Sequence, residues 1–317
     1  MDEILKEALG TVTLKRTGKG GGGCINEGEA YLIDTGTVFV KYNKKPQARE
    51  MFDGESDSLK AIAATQTVHV PKPLHVLDNP EGGAVLVLEY LDLKGLTRYS
   101  RQLGEELARM HLHNAELGKK QKEQESYVGG QGTENDNEDE DRLLYVNQFG
   151  FHTTTCCGYL PQDNTFCDDW PTFYARQRLE HQLKLIEKDY GDKESRELWS
   201  RLQHKIPNFF KDMTIEPSLL HGDLWGGNVA ESTTGPVVFD PASFYGHHEF
   251  ELAIAGMFGG FNSTFYQAYH NLIPKAPGFE ARHKLYQLFH YLNHWYVEKN
   301  FNKTEYISNT GQSHTIF

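Results

Sequence analysis

The sequence predicts an α+β protein of two lobes: a smaller lobe with a five-stranded antiparallel sheet and one helix, and a larger, mainly helical lobe. Short β-branched and aromatic runs dominate residues 1–90, whereas apolar residues recur at helical spacing through residues 91–317. A length of 317 residues also suits two lobes around a cleft better than one average domain.

The elements of the smaller lobe follow one another closely and end near Tyr90. In chain order we predict a helix at 3–9, strands at 11–14, 30–33 and 37–42, a helix at 47–64, an extended stretch at 68–73, and strands at 76–77 and 84–88. A glycine cluster lies between the first two strands, where it would form the tip of a hairpin.

Beyond Tyr90 the apolar pattern becomes helical. The positions that carry it are Leu103, Leu107 and Met110, then Leu179, Leu183 and Ile186, followed by the stretches 194–210 and 283–297. Residues 121–142 interrupt this lobe with eight acidic and two basic side chains and few apolar ones. Such a composition predicts a mobile acidic loop.

Composition restricts the partners and the compartment. A formal charge of −12 argues against nucleic acid or an anionic membrane surface as partner, since both require basic protein surface. No apolar run approaches the ~20 residues of a membrane span, and the acidic N-terminus does not resemble a signal peptide. Four cysteines without metal-ligand spacing favour a reducing compartment, so we expect a cytoplasmic protein.

The most informative segment runs from His221 to Asp240. It reads His-Gly-Asp223, then Asn228 five residues later, and Asp240 after an apolar run. Phosphoryl transfer needs a carboxylate that accepts a hydroxyl proton, and an amide and a second carboxylate that hold Mg²⁺ against nucleotide phosphates. We therefore predict that Asp223 is the catalytic base, Asn228 and Asp240 are Mg²⁺ ligands, and His221 supports the loop.

Protein kinases have a similar order of residues, with Arg after the histidine and Phe-Gly after the metal-binding aspartate. In this chain Gly222 replaces that Arg, and Pro241-Ala242 replaces Phe-Gly. No activation segment follows Asp240, and a long stretch between Leu91 and His221 leaves room for helices around a pocket. These differences predict a protein-kinase-like fold that acts on a small polyol or amine.

Residues of the smaller lobe complete a predicted ATP site. Backbone amides of Gly20, Gly21, Gly22 and Gly23 could close over phosphates, although a glycine cluster alone can be a simple flexible loop. Lys41 ends a strand, as does the lysine that contacts the α- and β-phosphates in kinases.

Glu55 is the preferred partner of Lys41, with Glu50 as its rival and a solvated helix face as the alternative for both. The connector Glu89-Tyr90-Leu91 is predicted to bind the adenine edge, unless it is only a strand end. Glu251 is expected to brace the cleft without a catalytic role. Trp225 is the one candidate for contact with the substrate, and packing in the core is its equal alternative.

The motifs of the chain resemble those of a known family, the fructosamine and ketosamine 3-kinases of the aminoglycoside-phosphotransferase-like superfamily. The matching segments are 21–28, 38–41, 52–55, 149–158, 169–176, 221–231, 240–247 and 286–295. Trp225-Gly-Gly-Asn and Ile254-Ala-Gly-Met-Phe look more like the ketosamine-3-kinase branch. The acidic insert 121–142 and the tail after about residue 300 depart from the family pattern.

The resemblance implies an ATP- and Mg²⁺-dependent kinase that phosphorylates the 3-hydroxyl of ketosamines such as fructosamine, ribulosamine or psicosamine. Its partners would be ketosamine small molecules and glycated lysines. Phosphate at C3 lies next to the C2 carbonyl, so its elimination would free the lysine. Cys24 at the glycine cluster would link a homodimer under oxidising conditions, with an inert thiol in a monomer as the alternative.

Two other functions remain open from the residues alone. The chain could be a related small-molecule kinase for choline, a methylthiopentose or an aminoglycoside. It could also be a catalytically silent binding protein on a kinase scaffold. Against the silent scaffold, Lys41, Glu55, Asp223, Asn228 and Asp240 are all present, so no catalytic part is missing.

Overall fold

A computed structural model of the chain describes residues 1–22, 27–127, 144–191 and 194–301. The smaller lobe contains helix α1 (Asp2–Leu9), strands β1 (Lys15–Gly22), β2 (Glu27–Ile33) and β3 (Gly36–Asn43), helix α2 (Ala48–Ala64), and strands β4 (Pro73–Asp78) and β5 (Ala84–Glu89). The strands form one sheet in the order β1-β2-β3-β5-β4, and each neighbouring pair is antiparallel. The predicted α+β fold class is confirmed.

Alternation along the central strands gives the sheet two buried faces. Val85 and Val87 of β5 pack with Leu5 of α1 on the outer face. Leu86 and Leu88, whose side chains point the other way, join the main core together with α2. The inner face lies against the larger lobe, so a polar side chain on it can reach residues far away in the sequence.

The first strand differs from its prediction. The segment 11–14 is irregular, and β1 begins at Lys15 and includes Gly18, Gly20, Gly21 and Gly22. Glycine is a poor strand former, so the sequence pattern assigned the strand to the β-branched residues before it. Pairing with β2 nevertheless makes the glycine-rich segment a strand. A Cβ at Gly20 would lie 2.9 Å from the carbonyl oxygen of Gly28.

The larger lobe is mainly helical. Its helices are α3 (Ser100–Tyr127), α4 (Trp170–Phe173), a π-helical turn (Tyr174–Glu180), α5 (His181–Tyr190), α6 (Glu194–Leu202), a 3₁₀ turn (Ile206–Phe210), α7 (His248–Ala255), α8 (Ser263–Leu272) and α9 (Phe279–Phe301). Its short strands are β6 (Lys94–Gly95), β7 (Cys156–Cys157), β8 (Leu160–Pro161), β9 (Ser218–Leu220), β10 (Val229–Glu231), β11 (Pro236–Val238) and β12 (Phe244–Gly246).

Two expectations for this lobe need correction. Helix α3 continues to Tyr127, so residues 121–127 of the expected acidic loop are helical, and the rest of it, 128–142, lies outside the described residues. Several charged side chains of this stretch suit a solvated helix as well as a loop. The stretch 194–210 is divided into α6 and the 3₁₀ turn. None of the described helices is long and apolar enough to cross a membrane.

Candidate active site

The loop from His221 to Asn228 connects β9 to β10, and a buried carboxylate fixes its start. Glu251 of α7 accepts hydrogen bonds from the backbone N–H groups of His221 (2.5 Å) and Gly222 (3.0 Å). The His221 ring is fully buried; its Nδ1 accepts from the N–H of Asp223 (3.3 Å), so Nε2 donates to the Phe239 carbonyl (3.0 Å). Burial lowers the pKa of His221, and both ring nitrogens serve to hold the loop.

Gly222 allows two chain segments to meet directly. Its φ is +84°, and a Cβ at this position would lie 2.1 Å from the carbonyl oxygen of Ala242. The N–H of Ala242 in turn donates to the carbonyl of His221 (2.8 Å). A larger residue would therefore separate the loop from the segment that follows Asp240.

Asp223 has the properties of a general base. Burial, together with the nearby charge of Asp240, raises its pKa to about 7, because both disfavour the ionised form. The amide nitrogen of Asn228 donates to the Asp223 carbonyl (2.9 Å) and to its Oδ2 (3.1 Å), which holds the carboxylate in one orientation. A pKa close to neutral lets a carboxylate take up a proton and release it again.

Lys41 joins the two lobes. Its Nζ lies 2.6 Å from Oε1 of Glu55 and 2.5 Å from Oδ1 of Asp240, 199 residues away in sequence. Burial alone would lower the pKa of Lys41, but the charges of Asp240 and Glu55 raise it. Burial also raises the pKa of Glu55, against the effect of Lys41. The partner of Lys41 is thus Glu55 and not the rival Glu50.

Asp240 follows β11 with a left-handed backbone, φ +58°. Such a conformation is uncommon for a residue other than glycine and persists only where the surroundings enforce it. It turns the carboxylate toward Lys41, while the next residues pass back over the loop at His221. Its side chain is 43% exposed, so one carboxylate face remains accessible.

The helix that carries Glu55 is held from the larger lobe by residues to which the sequence had assigned no role. A Cβ at Gly54 would lie 2.2 Å from the carbonyl oxygen of Thr154, so helix and loop are in direct backbone contact. Thr153 donates to Oδ2 of Asp57 (2.7 Å). The run of three threonines at 153–155 was the available signal, since hydroxyl groups can serve as short bridges between elements.

Only some of the residues predicted to bind the nucleotide lie among the described residues. Gly20, Gly21 and Gly22 lie in β1, whereas Gly23 and Cys24 are outside the described residues, so the redox role of Cys24 stays a prediction. Glu89 ends β5, and its N–H donates to the carbonyl of Lys72. The assignment of Glu89, Tyr90 and Leu91 to the adenine edge stays a prediction. Nζ of Lys19 in β1 donates to the hydroxyl of Tyr90 (3.4 Å), so the glycine-rich strand β1 meets the connector after β5 at this point.

Trp225 lies within the loop from His221 to Asn228 and is 38% exposed, so core packing does not account for it. Its ring meets that of Phe258 edge-on at 6.1 Å between centroids, and Phe258 lies 4.6 Å from the ring of His294. Phe258 ends the segment Ile254-Ala-Gly-Met-Phe and was not predicted to be a site residue. Exposed aromatic rings next to Asp223 offer an apolar wall to a ligand.

One cluster of metal-ligand side chains lies elsewhere. Among the described residues, His247, His248 and Glu249 form a compact group. However, both oxygens of Glu249 are bound by Arg282 (2.7 and 2.8 Å), and Nδ1 of His247 pairs with Tyr286 (2.7 Å). Burial lowers the pKa of both histidines, and the cluster is a part of the core.

Comparisons with known proteins cover almost the whole chain. The family model for fructosamine kinase matches residues 1–140 and 141–313. The chain is 56% identical over 295 residues to a ketosamine-3-kinase of Mus musculus, covering 93% of this chain and 94% of that protein. It is 37% identical over 293 residues to a chloroplastic protein-ribulosamine 3-kinase of Arabidopsis thaliana, covering 92% and 80%.

Solved structures show the same architecture. A candidate fructosamine-3-kinase from Haemophilus somnus has a TM-score of 0.74 at 25% identity, covering 96% of this chain and 91% of that one. An aminoglycoside phosphotransferase has a TM-score of 0.55 at 13% identity, covering 95% and 94%, which concerns the fold alone. The similarity thus covers both lobes.

Proposed function

This chain belongs to the fructosamine kinase family and is a ketosamine 3-kinase; from that premise we propose how its residues carry out the reaction. The observation that carries the proposal is the meeting of Asp223, Asn228 and Asp240 with the Lys41–Glu55 pair between the lobes. We propose that Asp223 accepts the proton of the sugar 3-hydroxyl as that oxygen attacks the γ-phosphate of ATP.

The residues present fit a magnesium ion. The amide nitrogen of Asn228 is used on Asp223, so the amide oxygen is the end available as a ligand. Asp240 uses Oδ1 for Lys41, which leaves Oδ2. An all-oxygen donor set suits Mg²⁺, and few protein ligands are needed when phosphates complete the shell. When bound, the ion would neutralise charge on the phosphates.

The remaining parts orient the nucleotide and the base. Lys41, held by Glu55, would contact the α- and β-phosphates, and the backbone of Gly20, Gly21 and Gly22 would cover them. Glu251 and His221 fix the loop so that Asp223 needs little rearrangement to accept the proton. Fixed donors and carboxylates of this kind lower the barrier because their ordering is already complete before reaction.

On the substrate side, we propose that the exposed rings of Trp225 and Phe258 contact the ketosamine. The apolar face of a sugar and the methylene chain of lysine both suit an aromatic wall. The product carries phosphate at C3, next to the C2 carbonyl. Enolisation toward C1 and elimination of inorganic phosphate from C3 would leave an imine at C1. Hydrolysis of that imine by water would release the amine, which supports a role in protein deglycation.

The proposal is tested by ATP consumption with Mg²⁺ on paired fructosyl-lysine and ribulosyl-lysine, with ³¹P NMR to follow the sugar phosphate and then inorganic phosphate. Turnover that disappears in Asp223→Asn, with ATP binding retained, would support it, and the faster sugar would identify the preferred ketosamine. Full turnover in Asp223→Asn would refute the role of Asp223. Absence of turnover with either sugar in the wild type, with ATP bound, would favour another small hydroxyl acceptor or a silent scaffold.

A further inference from the structure

The peptide Ala242–Ser243, two residues after Asp240, is held from three directions. The N–H of Ala242 donates to the carbonyl of His221 in the catalytic loop (2.8 Å). Thr155 donates to the carbonyl of Ser243 (3.1 Å), and Gln162 donates to that of Ala242 (3.2 Å). Both come from the larger-lobe segment that packs on α2. The third direction is α2 itself.

The contact from α2 is made by Ser58, which is fully buried. Its Oγ donates to the carbonyl of Gly54 one turn earlier (2.7 Å) and accepts the N–H of Ser243 (3.1 Å). Since Glu55 lies three residues before Ser58, both side chains project from the same side of α2. One side of this helix therefore holds Lys41 through Glu55 and the segment after Asp240 through Ser58.

We propose that Ser58 is a positioning residue for the carboxylate of Asp240, and that it fixes this carboxylate relative to the Lys41–Glu55 pair. The inference rests on the proposed function, in which Asp240 is a metal ligand. The left-handed backbone of Asp240 (φ +58°) needs support from its surroundings. Ser58 supplies a hydrogen bond from the smaller lobe to Ser243, so Asp240 stays in register with that lobe.

Removal of the hydroxyl would leave a buried N–H of Ser243 without its acceptor. The segment would then relax toward the larger lobe, and Asp240 would lose its fixed distance from Lys41 and Asn228. A misplaced ligand weakens metal binding, whereas the loss of a hydroxyl with a purely structural role would lower stability alone. Metal affinity is therefore the property that separates positioning from simple structural support.

The experiment measures Mn²⁺ binding by EPR in the presence of a non-hydrolysable ATP analogue, for the wild type and for Ser58→Ala. We expect the dissociation constant for Mn²⁺ to rise about fivefold, the size of one net hydrogen bond. We also expect faster amide hydrogen exchange at residues 241–244. In the kinase assay, kcat at limiting Mg²⁺ should fall and should recover as Mg²⁺ is raised.

The matched control is Thr65→Val, at the residue that directly follows α2. Thr65 is also buried and donates to a backbone carbonyl of that helix, that of Ile62 (2.7 Å), and not to the segment after Asp240. This variant should keep the wild-type Mn²⁺ affinity even where it lowers stability. Equal loss of affinity in both variants would overturn the inference, because the effect would then be general destabilisation.

Asp240→Asn separates this inference from the proposed function. If Asp240→Asn leaves Mn²⁺ binding unchanged, the assignment of Asp240 as a ligand is wrong. If Asp240→Asn weakens binding while Ser58→Ala does not, only the role of Ser58 is refuted. Should Ser58→Ala fail to fold, Ser58→Cys keeps a similar volume with a weaker acceptor and should show a smaller shift in the same direction; wild-type affinity in that variant would overturn the inference.

Discussion

A single methyl group added at Gly54 should reduce catalysis more than it reduces stability. Gly54 precedes Glu55 on α2, and a Cβ there would lie 2.2 Å from the carbonyl oxygen of Thr154. Real Cβ contacts essentially never fall below 3.0 Å, so helix and loop must separate by about 0.8 Å in Gly54→Ala. The opposing atom belongs to the backbone, which cannot rotate away.

Two effects on stability oppose each other. Alanine is a better helix former than glycine by about 1 kcal/mol, whereas overpacking in a well-packed contact costs about 1–3 kcal/mol. The net change in the free energy of unfolding should therefore be a loss of about 0–2 kcal/mol. The catalytic effect has no such compensation. A full 0.8 Å displacement would extend the 2.6 Å contact between Lys41 and Glu55 to about 3.4 Å, beyond a good charge-assisted hydrogen bond.

Misplacement of this size costs a reaction about 10- to 100-fold in rate. We therefore expect kcat of Gly54→Ala to fall by that factor, measured by steady-state ATP turnover on a fructosyl- or ribulosyl-amine. Urea denaturation of the same samples would give the change in stability. The control is Gly118→Ala in α3, where the Cβ would meet the ring of Tyr145 at 2.8 Å. That ring can move, so kcat should stay at the wild-type value.

A Gly54→Ala enzyme with wild-type kcat and increased stability would refute this reasoning. It would mean that the contact with Thr154 does not set the position of α2. Equal losses of kcat in the two alanine variants would also contradict it, since Gly118 lies in α3, whereas Gly54 lies in α2 and Lys41 in β3.

Three further predictions concern the catalytic loop and its surroundings. The pKa of Asp223 is raised to about 7 in the folded protein, so the protonated carboxyl stabilises the fold, and this stabilisation is lost as pH rises toward and through 7. Urea denaturation at pH 8 should therefore show Asp223→Asn more stable than the wild type by about 2–4 kcal/mol. This difference should shrink toward pH 5. A constant difference would contradict the raised pKa. Glu251→Gln should lower kcat, because the two loop N–H groups bind different carboxylate oxygens and an NH2 group would replace one of these acceptors. Glu249→Gln on the same helix should instead lower stability with little change in kcat per folded molecule. Trp225→Ala should raise KM for the ketosamine about tenfold and leave KM for ATP unchanged; a change in the ATP value alone would place Trp225 at the nucleotide.

Elements whose pattern depends on near neighbours were predicted correctly, whereas those decided by distant contacts were not. The helix at Ala48–Ala64 and the strands at Gly36–Asn43 and Ala84–Glu89 were recognisable because their apolar periodicity depends on near neighbours. The first strand was misplaced because its glycines carry no such periodicity and become a strand only through pairing with β2. The acidic stretch was misjudged at its start, where α3 continues to Tyr127.

The order of residues from His221 to Asp240 was by itself enough to predict a kinase-like fold and its chemistry, because a short motif fixes the types and spacing of the groups that react. Other features required the tertiary structure. The meeting of Lys41 with Asp240, the bridge from Ser58 to Ser243, and the aromatic contact of Trp225 with Phe258 join residues that are distant in sequence. Such contacts depend on how two lobes pack, and packing is decided by the shape of the whole core, which no local pattern contains.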